Sequence, residues 1–174
     1  ITKAEELAEH FNQFFKEKVV KLQSTIKIDR EAVVDYAKEY MSEKGFETPP
    51  EFSFNTVGTG VINKIITSLK NTSAQGRDQI STVLLKKFKG TIAPALRHIV
   101  NVAIKTGIYP TPWKVGLITP LPKSGDLSLA KNWRPVVINT SASKILEGVL
   151  QQQLQHHMEL NQIYSPSQHN DLPI

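Results

Sequence analysis

At 174 residues, 40% hydrophobic and 21% charged, the chain has the length and composition of one globular domain, which excludes a disordered polymer. The absence of cysteine excludes disulfides, thiolate metal sites and cysteine nucleophiles. The net charge of +5 is gathered late, with four acids after Thr91 (Asp126, Glu147, Glu159, Asp171) against seven Lys and Arg, so a polyanion such as nucleic acid or nucleotide phosphate suits the second half. A merely soluble basic surface accounts for the same charge.

Taken in order, 3–22 places Ala4, Leu7, Ala8, Phe11, Phe15, Val19 and Leu22 at helical spacing behind a Thr2 cap, with Phe11, Phe14 and Phe15 as a core stripe. Positions 29–42 predict a more polar helix capped by Asp29, with Val33, Val34, Ala37 and Tyr40 inward. Residues 45–55 read as a linker: Thr48-Pro49-Pro50 stops helix, and Phe52-Ser53-Phe54 alternates like extended chain. An amphipathic helix over 59–70 follows, then a polar turn, NTSAQGRDQ, and a helix over 80–88. A further helix over 91–106 has Pro94 in its first turn and Gly107 as its C-cap.

Two β-type runs, 115–121 and 136–138, flank a turn cluster containing Lys123, Gly125 and Asp126, and predict a hairpin with a long tip. Pro120 and Pro122 cannot donate to a ladder, so at least one strand is an edge or frays. After the hairpin, Ser141 or Ser143 caps a helix to about Leu160, with Ile145, Leu146, Val149, Leu150, Leu154 and Met158 inward.

The strongest chemistry is a pair of cations. Lys123 on the outgoing arm and Arg134 on the returning arm suit a phosphate chain, a Lys acting as point charge and an Arg as bidentate fork; solvated turn charges are the plainer reading. Lys114 and Lys131 can touch backbone phosphate, each adding on the order of 0.7 to a single-strand salt slope. Trp113 and Trp133 flank the hairpin as core anchors or as rim residues near a template. Glu147 and Glu159 stand about 18 Å apart on one helix, too far to share a metal. Neighbouring His156 and His157 point apart, and Gly58-Thr59-Gly60 lacks a P-loop lysine. No cofactor is expected in this chain.

Several of these stretches share one resemblance. Ile108-Tyr109-Pro110, Trp113-Lys114, Ile118-Thr119-Pro120, Lys123, Gly125-Asp126, Trp133-Arg134-Pro135 and Ser143-Lys144-Ile145-Leu146-Glu147 resemble the fingers of a non-LTR (LINE-type) retrotransposon reverse transcriptase. That family writes the region as G-x-x-P-x-x-W-K, I-x-P-L/I-x-K-x-G-D, Y-R-P-I and K-x-x-E. Its K-S-x-G-P-D-G-I turn, which lies close to template RNA, is matched at Gly76, Asp78 and Ile80 but not at Gln75, Arg77 and Gln79. Its S-x-x-Q-x-G-F-R element resembles Ser165 to Gln168, after which Asn170-Asp171-Leu172 replaces Gly-Phe-Arg.

The resemblance implies an α+β, mainly helical fold, with helices packed around a long fingers hairpin: an incomplete right-hand polymerase lacking its palm. It divides the chain into a helical extension (1–45), a linker (46–58) and partial fingers (59–174). It implies that Lys123 and Arg134 hold the triphosphate of an incoming nucleotide. Arg77, Lys114, Lys131 and Gln168 would then lie along template RNA or an RNA–DNA hybrid. Mg²⁺ and dNTP belong to the complete polymerase, whose catalytic aspartates lie in the palm, so this chain is expected to be inactive alone. Beginning at Ile1, it reads as a segment of something longer. With no signal peptide, no ~18-residue apolar run and no cysteine, an intracellular location, cytoplasmic or nuclear, is expected. Two other readings remain open: a truncated or domesticated element remnant that binds nucleic acid without catalysis, and a plain helical scaffold.

Overall fold

The computed structural model describes residues 3–26, 29–43, 45 and 51–163. It is mainly helical, with one two-stranded antiparallel sheet, in the order α1 (Ala4–Thr25), α2 (Arg30–Glu43), α3 (Thr59–Ser68), α4 (Thr82–Lys87), α5 (Lys89–Thr106), β1 (Leu117–Pro122), β2 (Trp133–Ile138) and α6 (Ser141–Leu160). This is the α+β class expected.

The core is made where α3, α5 and α6 meet. Ile62, Ile65 and Ile66 of α3 pack with Ala93, Leu96, Val100 and Ala103 of α5 and Ile145, Leu146 and Val149 of α6. Most of these positions recur at three- and four-residue spacing, so each helix turns one apolar stripe inward. Each fully buried Ile or Leu contributes about 1.5–3 kcal/mol relative to exposure. The short α4 adds Leu85, while Tyr109 and Trp113 pack on the rim. α5 ends at Gly107, whose φ of 67° is the left-handed conformation expected of that cap.

Several boundaries differ from expectation. α5 begins at Lys89, so Pro94 lies beyond its first turn, and it is separated from α4 only by Phe88. α4 starts late because the Thr82 hydroxyl donates to Lys70 O (2.8 Å) and accepts from Thr72 N–H (3.0 Å). Ser81 is extended and caps the helix by accepting from Leu84 N–H at 3.2 Å. The cap of α6 is Thr140, not Ser141 or Ser143: its Oγ1 accepts from Ser143 N–H at 3.2 Å. Leu154, expected inward, is 43% exposed, because α6 runs on past the core.

The N-terminal helices behave differently from each other. Phe11 and Phe15 of α1 are buried and Phe14 is half-buried, and the Phe11 ring meets Trp133 edge-on at 5.3 Å, so the stripe docks α1 onto the hairpin. Lys3 occupies the N-cap of α1 without a side-chain bond; Thr2 lies outside the described residues. Asp29 caps α2 as expected, accepting from Glu31 and Ala32 N–H at 3.0 and 3.1 Å. The expected inner side of α2 is corrected: Val33, Val34 and Ala37 are exposed, while Tyr40 is half-buried and its hydroxyl donates to Ile163 O, just past α6, at 3.4 Å.

Residues 51–58 are extended and clipped to the helices by two amide side chains. Gln153 of α6 accepts from Asn55 N–H (2.7 Å) and donates to Asn55 O (2.9 Å). Asn101 of α5 does the same at Val57, with 2.8 and 3.0 Å. Residues two apart on an extended chain face one way, so both clips grip the same side.

Candidate nucleic-acid interface

The hairpin pairs Leu117 with Ile138 through Pro122 with Trp133, in strict antiparallel register. Beyond the assigned strands, Lys123 N–H donates to Asn132 O at 2.8 Å, which marks 123–132 as a hydrogen-bonded pair. Pairs alternate along an antiparallel ladder, so 121–134, 119–136 and 117–138 are bonded and the even positions of β1 are not. Pro120, Pro122 and Pro135 all fall on non-bonded pairs. Three prolines therefore cost the ladder no hydrogen bond.

The same parity sorts the faces. Trp133 faces α1 through Phe11, and α1 and β1 together line an open cleft of about 460 Å³ that includes Phe11, Ile118 and Pro120. Lys123 and Arg134 lie on the opposite face as diagonal neighbours, a relation that puts residues roughly 7–8 Å apart and their Cβ atoms somewhat closer. Both are exposed, and neither makes a side-chain hydrogen bond or ion pair among the described residues. The structure thus brings the two predicted cations onto one face with their charge unspent.

The tip has a scaffold of its own. Gly125 takes a φ of 102°, which a side chain would strain. Asp126 accepts from Ser128 N–H at 2.9 Å, and these Ser128 bonds hold its carboxyl below the ordinary carboxylate range. Asn132 Nδ2 donates to Asp126 O at 2.6 Å, and Trp133 Nε1 donates to Leu127 O at 3.0 Å. Asn132 escaped notice in the sequence; the signal available was an amide just before Trp133-Arg134-Pro135. Lys131 is exposed in the turn Ala130–Asn132 of the same tip.

Arg77 and Lys114 lie toward the other end of the hairpin, on separate loops. Arg77 borders an open cleft of about 500 Å³ lined also by Asp78, Thr111, Trp113, Val115 and Thr140. Lys114 stands between two of those residues, in the turn Thr111–Lys114. The loop that carries Arg77 is clamped on both sides of it. A Cβ on Gly76 would lie 2.7 Å from Asn139 O, so only glycine permits this approach. Asp78 accepts from Ser141 N–H (3.0 Å) at the start of α6 and from Ile80 N–H (3.3 Å), while Ser141 Oγ donates to Ile80 O (2.6 Å). The motif-matching Gly76 and Asp78 are the two clamps. Gln79, where the motif has glycine, holds a φ of 55°.

Arg77 and Lys114 are separated from Lys123 and Lys131 by the length of β1, about 20 Å. Gln168 lies outside the described residues. Tyr109 donates to Glu147 Oε1 at 2.9 Å, tying the hairpin's approach to α6; burial and then this carboxylate push its phenol up to about 12. Among the described residues no three His, Asp or Glu side chains gather as a metal site, and no helix is long and apolar enough to cross a membrane.

Comparison with known proteins finds two related sequences. The chain is 35% identical over 65 residues to the retrovirus-related Pol polyprotein from type-1 retrotransposable element R2 of Popillia japonica, a match covering 37% of this chain and 9% of that protein. It is 26% identical over 112 residues to the transposon TX1 uncharacterized 149 kDa protein of Xenopus laevis, covering 64% of this chain and 8% of that protein. The matched stretches are thus under a tenth of either relative. No family model matches the chain.

Proposed function

We propose that this chain, a retrotransposon-related sequence, is the fingers part of a non-LTR reverse transcriptase, and that its hairpin binds an incoming nucleotide. Residues 59–174 form the partial fingers, 46–58 the linker and 1–45 a helical extension, of which α1 braces the hairpin from behind. Lys123 and Arg134 neutralise the triphosphate, one as a point charge and the other as a fork. Arg77, Lys114, Lys131 and Gln168 follow the template strand of RNA or of an RNA–DNA hybrid. The observation that carries this reading is two cations, without a side-chain partner among the described residues, on one face of a hairpin whose tip is fixed by Asn132 and Trp133. Positioning of that kind is what phosphoryl chemistry asks of a protein.

Mg²⁺, which the complete polymerase requires, has no carboxylate cluster to hold it among the described residues. The metal-binding acids would be supplied from outside them, and binding rather than synthesis is the activity assigned to this chain.

The test is equilibrium binding of a fluorescent RNA–DNA hybrid with and without dNTP, for wild type and Lys123→Ala/Arg134→Ala. Enhancement by dNTP in wild type and its loss in the double variant is the expected result. A folded chain whose dNTP response ignores the double substitution would sink the clamp and favour a scaffold role.

A further inference from the structure

The first half of the sequence is nearly neutral only as an average. Eleven of its acids precede Phe52, whereas between Phe52 and Gly125 ten Lys and Arg face a single acid, Asp78. Asp78 is already committed to the N–H groups of Ser141 and Ile80.

Five of those ten cations converge at one end of the helical core. Lys64 lies on α3, Lys70 just past its end, Lys86 and Lys87 close α4, and Lys89 opens α5. Lys89 Nζ donates to Thr67 Oγ1 at 3.1 Å, one turn from Lys64. Lys86 Nζ donates to Asn71 Oδ1 at 2.7 Å, beside Lys70. Both partners are neutral, and no ion pair engages the five among the described residues.

Helix stability does not account for the cluster. Cations in the last turn of α4 complement its dipole, but Lys89 stands at the electropositive start of α5, whose first turn has no acid. Between Lys87 and Lys89, the Phe88 side chain sits at the break between the helices and is 47% exposed. Lysines interleaved with a half-exposed aromatic ring match the chemistry of an unpaired strand: phosphates on the ammonium groups and a base on the ring.

We propose that Lys64, Lys70, Lys86, Lys87, Phe88 and Lys89 form a binding surface for single-stranded nucleic acid, separate from the hairpin. It gives the chain a second hold on a strand, one that needs neither the phosphate clamp nor a nucleotide.

The test titrates the full chain with a short fluorescent single-stranded RNA over a range of salt, and in parallel with the matching DNA and with anionic lipid vesicles. Lys64→Gln/Lys87→Gln removes two exposed lysines that make no hydrogen bond among the described residues, so the fold should survive; circular dichroism checks it. The salt slope should fall by about 1.4 for two lost phosphate contacts. Phe88→Leu should weaken binding about tenfold without changing the slope. The dNTP response should persist in both variants, and the lysine effect should persist in Lys123→Ala/Arg134→Ala, so this surface and the clamp fail independently. An unchanged slope in a folded Lys64→Gln/Lys87→Gln protein overturns the proposal. So does lysine-dependent binding to vesicles without binding to either strand; tighter binding to RNA or to DNA supports it and names the strand.

Discussion

Replacing Gln79 by glycine should stabilise this protein. Gln79 holds a φ of 55°, and the left-handed region costs a residue with a Cβ about 1–2 kcal/mol. Glycine escapes that cost but loses more freedom on folding, about 0.5–1 kcal/mol. Little else changes: the Gln79 side chain is exposed, and the backbone bond from its N–H to Gly76 O (3.0 Å) survives the substitution. The strain term is the larger, leaving a net gain of about 0.5–1 kcal/mol. Gln79→Ala keeps the strain and should be nearly neutral. In urea unfolding with an m-value near 2 kcal/mol/M, the glycine variant should shift the midpoint up by about 0.3–0.5 M with m unchanged. A glycine variant no more stable than the alanine variant would refute the assignment of strain to this loop.

Three further outcomes follow from the same structure. Asp78→Ala leaves the Ser141 N–H without its carboxylate and should cost about 1–3 kcal/mol in urea unfolding; a loss under 0.5 kcal/mol would mean that water serves equally well. Tyr109→Phe should change how stability depends on pH at the alkaline end. The phenol's folded value of about 12 exceeds its ordinary one, so its share of stability is complete below the unfolded value and fades as pH rises through the folded one. The variant should lose that alkaline decline and the last phenolate step in an absorbance titration; an unchanged titration contradicts the Glu147 bond. Asn101→Ala/Gln153→Ala should release residues 55–57, read as faster amide exchange at Asn55 and Val57 while the core amides stay protected.

How much of this was legible in the sequence depended on how local the cause was. Gly107 and Asp29 act within a turn of themselves, and both were read correctly. The cap of α6 was not, because Thr140, Ser141 and Ser143 offer equivalent hydroxyls. Asp78, 63 residues away, takes the Ser141 N–H, and Ser141 Oγ goes to Ile80. α2 carries apolar residues but buries none of them among the described residues, so its pattern did not translate into packing there. Of the candidate site, the residue types at Lys123 and Arg134 were readable, but their shared face rested on register. A slip of one residue would have put them on opposite sides of the sheet. The lysine surface was hidden by averaging, since the acids of α1 and α2 cancelled it in the sum.

The three hairpin prolines have a consequence for how copies of this chain meet. Ile118, Leu121 and Val137 are each more than two-fifths exposed, on a sheet only two strands wide. Such a sheet invites a strand from another molecule to extend it. At non-bonded positions the backbone N–H points outward, and Pro120, Pro122 and Pro135 have none to present. A neighbour approaching β1 finds two donors absent and one approaching β2 finds one, so the placement that spares the internal ladder also denies a template for self-assembly.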